Sequence, residues 1–336
     1  MRVIRQLGRP FAASAAAVLV VGLAAGGALF TSAARAGGSS SCSDSITAAP
    51  SGPATVSAAS TPYGRVLVVG SGAYAGCSLY MLTSDQWHAL DPGIGYGCGA
   101  GSPLGPSCDA VLWPALLTDG APIAGVGVNP TLLGTVTRTD VLAGGTPVQQ
   151  VTYAGQPLYR FVFDDAPGDF QGADLFDNVV DPVGTWYLVE PSRGRVAPGQ
   201  AQVLVEGASA NGGTGPAETV LAATMDGGFT DAFADASFPV YTFSGDGGSK
   251  SACTGACALT YQPVLTDKQP QAGAGVDRHA LGIVVRPDGT HQVTYGGRPL
   301  YLYVGDAYLP GLFGGPATIG GNGSAFGGTF SAIPSP

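Results

Sequence analysis

The sequence predicts an all-β protein made of two homologous repeat domains of short antiparallel meanders. Three observations carry that expectation. Glycine (54 residues) and proline (26) make up close to a quarter of the 336 residues and only 11% are charged, a composition of turns rather than of long helices. Apolar residues reach 45%, enough to build cores. A Tyr, an aromatic or Leu two residues on, and an Asp three further recur four times in order: Tyr80-x-Leu82-x-x-Asp85, Tyr159-x-Phe161-x-x-Asp164, Tyr241-x-Phe243-x-x-Asp246 and Tyr301-x-Tyr303-x-x-Asp306. No segment sustains a helical period. Sandwich or barrel-like domains are expected. A propeller-like closure of the four meanders is the alternative, because radial repetition protects sheet edges.

Residues 1–36 read as a secretory signal peptide. Arg2, Arg5 and Arg9 form a basic start, an apolar run follows from Phe11 to Phe30, and Ala34-Arg35-Ala36 precedes Gly37 as a cleavage site. The run is long enough to span a bilayer, so a retained anchor is the alternative. No Cys directly follows the run, so there is no lipoprotein cleavage box, and no later stretch is long enough for a transmembrane helix. The expected location is secreted or extracytoplasmic, with cell-envelope association. Four of the 14 basic residues and none of the 23 acidic ones lie in the signal, so the exported chain carries ten against 23, a net charge of −13. Such a surface repels phosphates and excludes a nucleic-acid partner.

Residues 37–62 are rich in Ser, Ala and Pro and read as a linker. Residues 63–191 form the first β domain, 192–216 a second linker with Val203-Leu204-Val205 as a short strand inside it, and 217–336 the second β domain. The two domains match at Val151-Thr152-Tyr153-Ala154-Gly155-Gln156-Pro157-Leu158-Tyr159 and Val293-Thr294-Tyr295-Gly296-Gly297-Arg298-Pro299-Leu300-Tyr301. They match again at Arg138-Thr139-Asp140 and Arg286-Pro287-Asp288, and at Gly184-Thr185-Trp186 and Gly328-Thr329-Phe330. Strands are expected from Leu133 to Thr137, Val148 to Tyr153 and Trp186 to Val189. Their counterparts run from Leu281 to Arg286, His291 to Tyr295 and Phe330 to Ile333. Ala154-Gly155 and Gly296-Gly297 serve as hairpin turns. Within a motif, residues i and i+2 share a strand face, so Tyr159 and Phe161 point one way. The Asp ends the strand at a loop, where its side chain can bond turn backbone.

Six cysteines in an exported chain read as disulfides. The expected pairs are Cys98–Cys108, Cys253–Cys257 and, by elimination, Cys42–Cys77. The cysteine spacings and the scattered His88, His279 and His291 do not make a zinc site.

The four motifs, the stretch Ser249-Lys250-Ser251-Ala252-Cys253-Thr254-Gly255-Ala256-Cys257-Ala258 and the run from Asp288 to Tyr301 resemble the bacterial "secreted repeat of unknown function" family. These are predicted lipoproteins with the Tyr-x-aromatic-x-x-Asp motif, common in actinobacteria. The resemblance covers both domains and implies export, tandem repeats and no agreed enzymatic activity. The chain departs from the pattern in four places. It lacks the lipobox Cys, and Leu82 replaces an aromatic. The family's Trp-Pro-Pro appears as Trp113-Pro114-Ala115 and Gln262-Pro263-Val264. The compact Cys pair is stretched to Cys98 and Cys108.

The Tyr and aromatic side chains are either a binding platform or core, with core expected and the phenol hydroxyls finding buried partners. The acidic stretch with Asp164, Asp165, Asp169 and Asp174, continuing through Asp177 and Asp181, is a candidate Ca²⁺ loop against a solvated default. Cys253-x3-Cys257 reads as a structural clip rather than a redox pair. There is no Gly-x-Ser-x-Gly elbow, no recognisable catalytic constellation around the three His, and no dinucleotide loop at Gly93 to Gly99, so no enzyme is expected. The leading function is an exported non-catalytic binding or interaction module of the cell envelope or extracellular space, its ligand and cell-surface partner unknown. The alternatives are a redox or electron-transfer accessory using Tyr and a disulfide, and a Ca²⁺-dependent adhesion module.

Overall fold

A computed structural model describes residues 42–44, 49–85, 96–99, 108, 112–177, 184–210, 216–224, 237–248, 250–306 and 317–335. The signal at 1–36, His88, Gly93–Gly95 and Asp181 lie outside the described residues. Among the described residues the fold is β, with helix confined to short pieces such as Ala256–Thr260.

The duplication is visible sheet by sheet. The first repeat opens with the hairpin Thr55–Thr61 and Gly64–Val69, its register running from Val56 opposite Val69 to Thr61 opposite Gly64. Ile123–Ala124 adds a parallel strand beside Thr55 and Val56. The second repeat opens with Gln202–Ala210 and Ala217–Thr224, and Gln271–Ala272 adds the same parallel strand beside Gln202 and Val203. Both stretches expected as linkers therefore carry strand: Thr55–Thr61 in 37–62, Val196–Ala197 and Gln202–Ala210 in 192–216. Gln202–Ala210 contains the short strand expected at Val203-Leu204-Val205, whereas small residues hide Thr55–Thr61 in the sequence. Thr55–Thr61 contains one large aliphatic, Val56, so neither strand periodicity nor apolar mass marks it.

A second sheet in each repeat is the expected meander. Leu133–Arg138 pairs with Val148–Tyr153, which turns through Ala154-Gly155 into Gln156–Pro157. Leu281–Val285, His291–Tyr295 and Arg298–Pro299 repeat it around Gly296-Gly297. Both residues of each turn lie in the left-handed region (φ +51° and +83°, then +55° and +75°), which two-residue hairpins need to follow strand twist.

The third sheet holds the motifs. Tyr80–Leu82 lies antiparallel to Gly184–Val189, and Tyr241–Phe243 to Gly328–Ala332. In each repeat the tyrosines of the two motifs stand opposite one another, Tyr80 with Tyr159 and Tyr241 with Tyr301. Among the described residues these sheets are separate and open, and none closes into a barrel.

Residues Ser39–Pro336 form one compact unit. Part of its core belongs to both repeats: Phe176 and Tyr187 from the first pack with Phe238, Val240, Leu265 and Leu300 from the second. The Phe176 and Phe238 rings meet edge to face at 4.6 Å, and the Thr185 hydroxyl donates to Gln262 Oε1 at 2.6 Å.

Candidate functional site: crossed tyrosine–aspartate pairs

The antiparallel pairing of the motifs dictates their chemistry. Tyr80 and Tyr159 exchange both backbone N–H···O bonds, at 2.9 and 3.0 Å. Each ring then reaches the turn that ends the other motif. Tyr80 Oη donates to Asp164 Oδ2 at 2.7 Å, and Tyr159 Oη to Asp85 Oδ2 at 2.8 Å. The second repeat repeats the crossing. Tyr241 Oη donates to Asp306 Oδ2 at 2.6 Å, and Tyr301 Oη lies 3.0 and 3.1 Å from the two oxygens of Asp246. The other role of each carboxyl is local: Oδ1 accepts the backbone N–H of Gly97 at Asp85, Gln171 at Asp164, Ala252 at Asp246 and Gly320 at Asp306, at 2.5 to 2.9 Å.

Two of the four pairs are backed by an arginine that sequence reading matched between repeats without giving it a role. Arg138 is 1% exposed. It donates to Gln150 Oε1 (2.7 Å), Tyr159 Oη (3.3 Å), the Cys98 carbonyl (2.7 Å) and Asp140. Arg286 donates to Gln292 Oε1 (2.7 Å), the Cys253 carbonyl (2.9 Å) and Ser251 Oγ (2.6 Å), and Ser251 meets Tyr301 Oη at 3.0 Å. Gln150 and Gln292 in turn donate to the carbonyls of Leu158 and Leu300. The signal is in the sequence: an Arg and a Gln recur at matching places in the two repeats, Arg138 and Gln150 against Arg286 and Gln292. A buried guanidinium persists when its donors are met: all of Arg138's nitrogens donate, while Arg286 Nε makes no hydrogen bond and lies 3.6 Å from Asp288 Oδ2.

The arginines separate the pairs electrostatically. Burial raises every one of these carboxyls above the ordinary range. Asp164 and Asp306 are pushed up to about 7 by desolvation, against which the tyrosine and backbone donors pull down. Desolvation takes Asp85 up to about 6, where Arg138 joins the donors opposing it. Asp246 is raised by the same cause, with Arg286 among the groups opposing it. The phenols shift upward too: burial and the partner carboxylate disfavour phenolate at Tyr80, Tyr159 and Tyr241, and burial takes Tyr301 up to about 12. At neutral pH the phenols stay protonated and act as donors.

The rest of each motif is packing. Phe161 stacks on Trp113 at 4.1 Å and Trp113 on Trp186 at 3.7 Å. In the second repeat Phe243 stacks on Phe330 at 4.3 Å, Tyr261 on Phe330 at 3.5 Å, and Tyr303 tilts against Tyr261 at 4.9 Å. Leu82 lies in the core where its counterparts are aromatic. None of these rings forms an exposed platform.

The disulfides pair Cys42 with Cys77, Cys98 with Cys108 and Cys253 with Cys257. A redox relay would need reachable tyrosines beside Cys253 and Cys257, but Tyr241, Tyr261 and Tyr301 are buried. The acidic loop divides its carboxylates. Asp164 is committed to Tyr80 and Gln171, Asp169 Oδ2 accepts the Ala166 N–H, Asp174 Oδ2 accepts the Gly199 N–H, and Asp165 is exposed. Among the described residues no three His, Cys, Asp or Glu side chains gather as a metal site.

Residues 144–189 and 282–313 match the model of a family described as a secreted repeat of unknown function. One match lies in each repeat, and each spans the second motif with its backing Gln: Gln150, Tyr159 and Asp164 in one, Gln292, Tyr301 and Asp306 in the other. No curated protein and no solved structure matches the chain.

Proposed function

We propose that the exported chain is a non-catalytic binding or interaction module of the cell envelope. One observation carries this reading: the groups that recur with the motif, four phenols, four carboxyls and two guanidiniums, are consumed in bonds inside the repeats. The motif therefore serves as a scaffold lock, and what the molecule offers a partner is its loops and the clefts between repeats. The secreted-repeat matches and three closed disulfides support an extracytoplasmic setting.

The test is co-sedimentation of the secreted chain, Gly37–Pro336, with purified insoluble bacterial cell walls. Saturable pelleting without release of soluble wall fragments is expected. A chain that stays in the supernatant, or that solubilises the wall, overturns the reading.

A further inference from the structure

Two clefts, of 340 and 470 Å³, open between the repeats and share Glu190, Val196 and Asp267 in their walls. Arg65 lines the first, Arg193, Arg195 and His291 the second. The concentration of cations is not what the composition leads one to expect. The exported chain has ten basic residues, and Arg138, Arg160 and Arg286 are buried. Three of the remaining seven stand at this one place on a molecule of net charge −13. Arg195 is held in the wall by donating to the Gly289 carbonyl at 2.8 Å. The ion pairs found among the described residues belong to Arg138 and Arg286, so Arg65 and Arg193 remain available.

We propose that the two clefts form one groove that binds a peptide carrying both carboxylate and ammonium groups, the arginines taking the carboxylates and Glu190 and Asp267 the ammoniums. This rests on the binding reading above and gives it a site. Guanidinium forks suit carboxylates, and the two acids answer with the opposite sign. A neutral glycan fits less well. Sugars favour broad aromatic platforms, and these walls offer only the Tyr63 phenol and the His291 imidazole, one in each cleft. A pure polyanion would meet Glu190 and Asp267 unpaired. Asp267 stands at the mouth, yet desolvation by the walls lifts its carboxyl to about 6; Glu190 adds to the rise, while His291 and Lys268 oppose it. An arriving ammonium relieves that cost.

The test is calorimetric titration of the secreted chain with end-blocked hexapeptides: alternating Glu and Lys, all Glu, and all Lys, with a neutral chitin oligosaccharide as a fourth probe. The alternating peptide is expected to bind tightest and to weaken with added salt. Arg193→Glu and Asp267→Lys are each expected to weaken it at least tenfold. Both residues are exposed, and an unchanged melting temperature will show that the fold is kept. Equal binding of the three peptides, preference for the glycan, no peptide binding, or wild-type affinity in both variants overturns the groove. Wall pelleting separates the two claims. Variants that pellet like wild type while the peptides fail to bind leave the module reading standing without this site. Peptide binding without pelleting keeps the groove and removes the wall.

Discussion

Each motif aspartate is a carboxyl held between a phenol and a backbone N–H, and burial makes it hold its proton more tightly folded than unfolded. The sign of the pH effect follows. Because the folded value is raised, the stability these groups contribute is fully present below the unfolded value, at about pH 4. It is lost as pH rises through the folded values, about 6 for Asp85 and about 7 for Asp164 and Asp306. The urea midpoint is therefore expected to be higher at pH 5 than at pH 8. Asp164→Asn keeps an oxygen for the Tyr80 hydroxyl and abolishes the titration, so it should narrow that difference. A variant with the wild-type pH difference would show that Asp164 does not titrate between the two values. The i and i+5 spacing of Tyr and Asp was legible in the sequence, but the partner was not. Tyr80 bonds a carboxyl 84 residues away rather than the one in its own motif.

At the scale of elements, the turns and clips obey local rules and their worth depends on what they close. Cys42–Cys77 spans 35 residues and Cys253–Cys257 only 4. Loop-closure entropy makes the longer bridge worth about 2 kcal/mol more. Arg160 adds to the first by donating to the carbonyls of Cys42 and Asp44, with its guanidinium 3.6 Å from the centre of the Tyr74 ring. Replacing Cys42 and Cys77 together by Ala should lower the urea midpoint more than replacing Cys253 and Cys257 together. Equal losses would mean that the short clip acts through packing around Tyr261 rather than through chain entropy. The hairpins at Ala154-Gly155 and Gly296-Gly297 were readable because turn chemistry is local. The strand Thr55–Thr61 was not, because a strand of small residues acquires its identity from the neighbours it pairs with.

Across the whole molecule the two repeats share a core as well as an ancestry. Phe176, Tyr187, Phe238 and Leu300 sit in one cluster, and Asp267 N–H donates to the Gly199 carbonyl at 3.0 Å across the join. The repeats are therefore expected to unfold together. Calorimetry of the secreted chain should give one transition, and Phe238→Ala should lower its midpoint at a cost of about 3–5 kcal/mol. Two resolved transitions in the wild type would show that the shared core does not couple the repeats. The same join makes the clefts, so a separated repeat would carry only one wall of the proposed groove.

The sequence by itself determined the β class, the duplication, the four motifs and the turn positions. Each of these depends on composition, periodicity or self-similarity, which a chain carries without being folded. Only the tertiary structure decided that the motifs cross, that Arg138 and Arg286 back one pair in each repeat, and that Asp267 stands in the walls of two clefts, one lined by Arg65 and the other by Arg193 and His291. Those facts depend on which distant strands lie side by side and on how much water is excluded between them. Neither the partner of a buried carboxyl nor its proton affinity exists until the chain has closed around it.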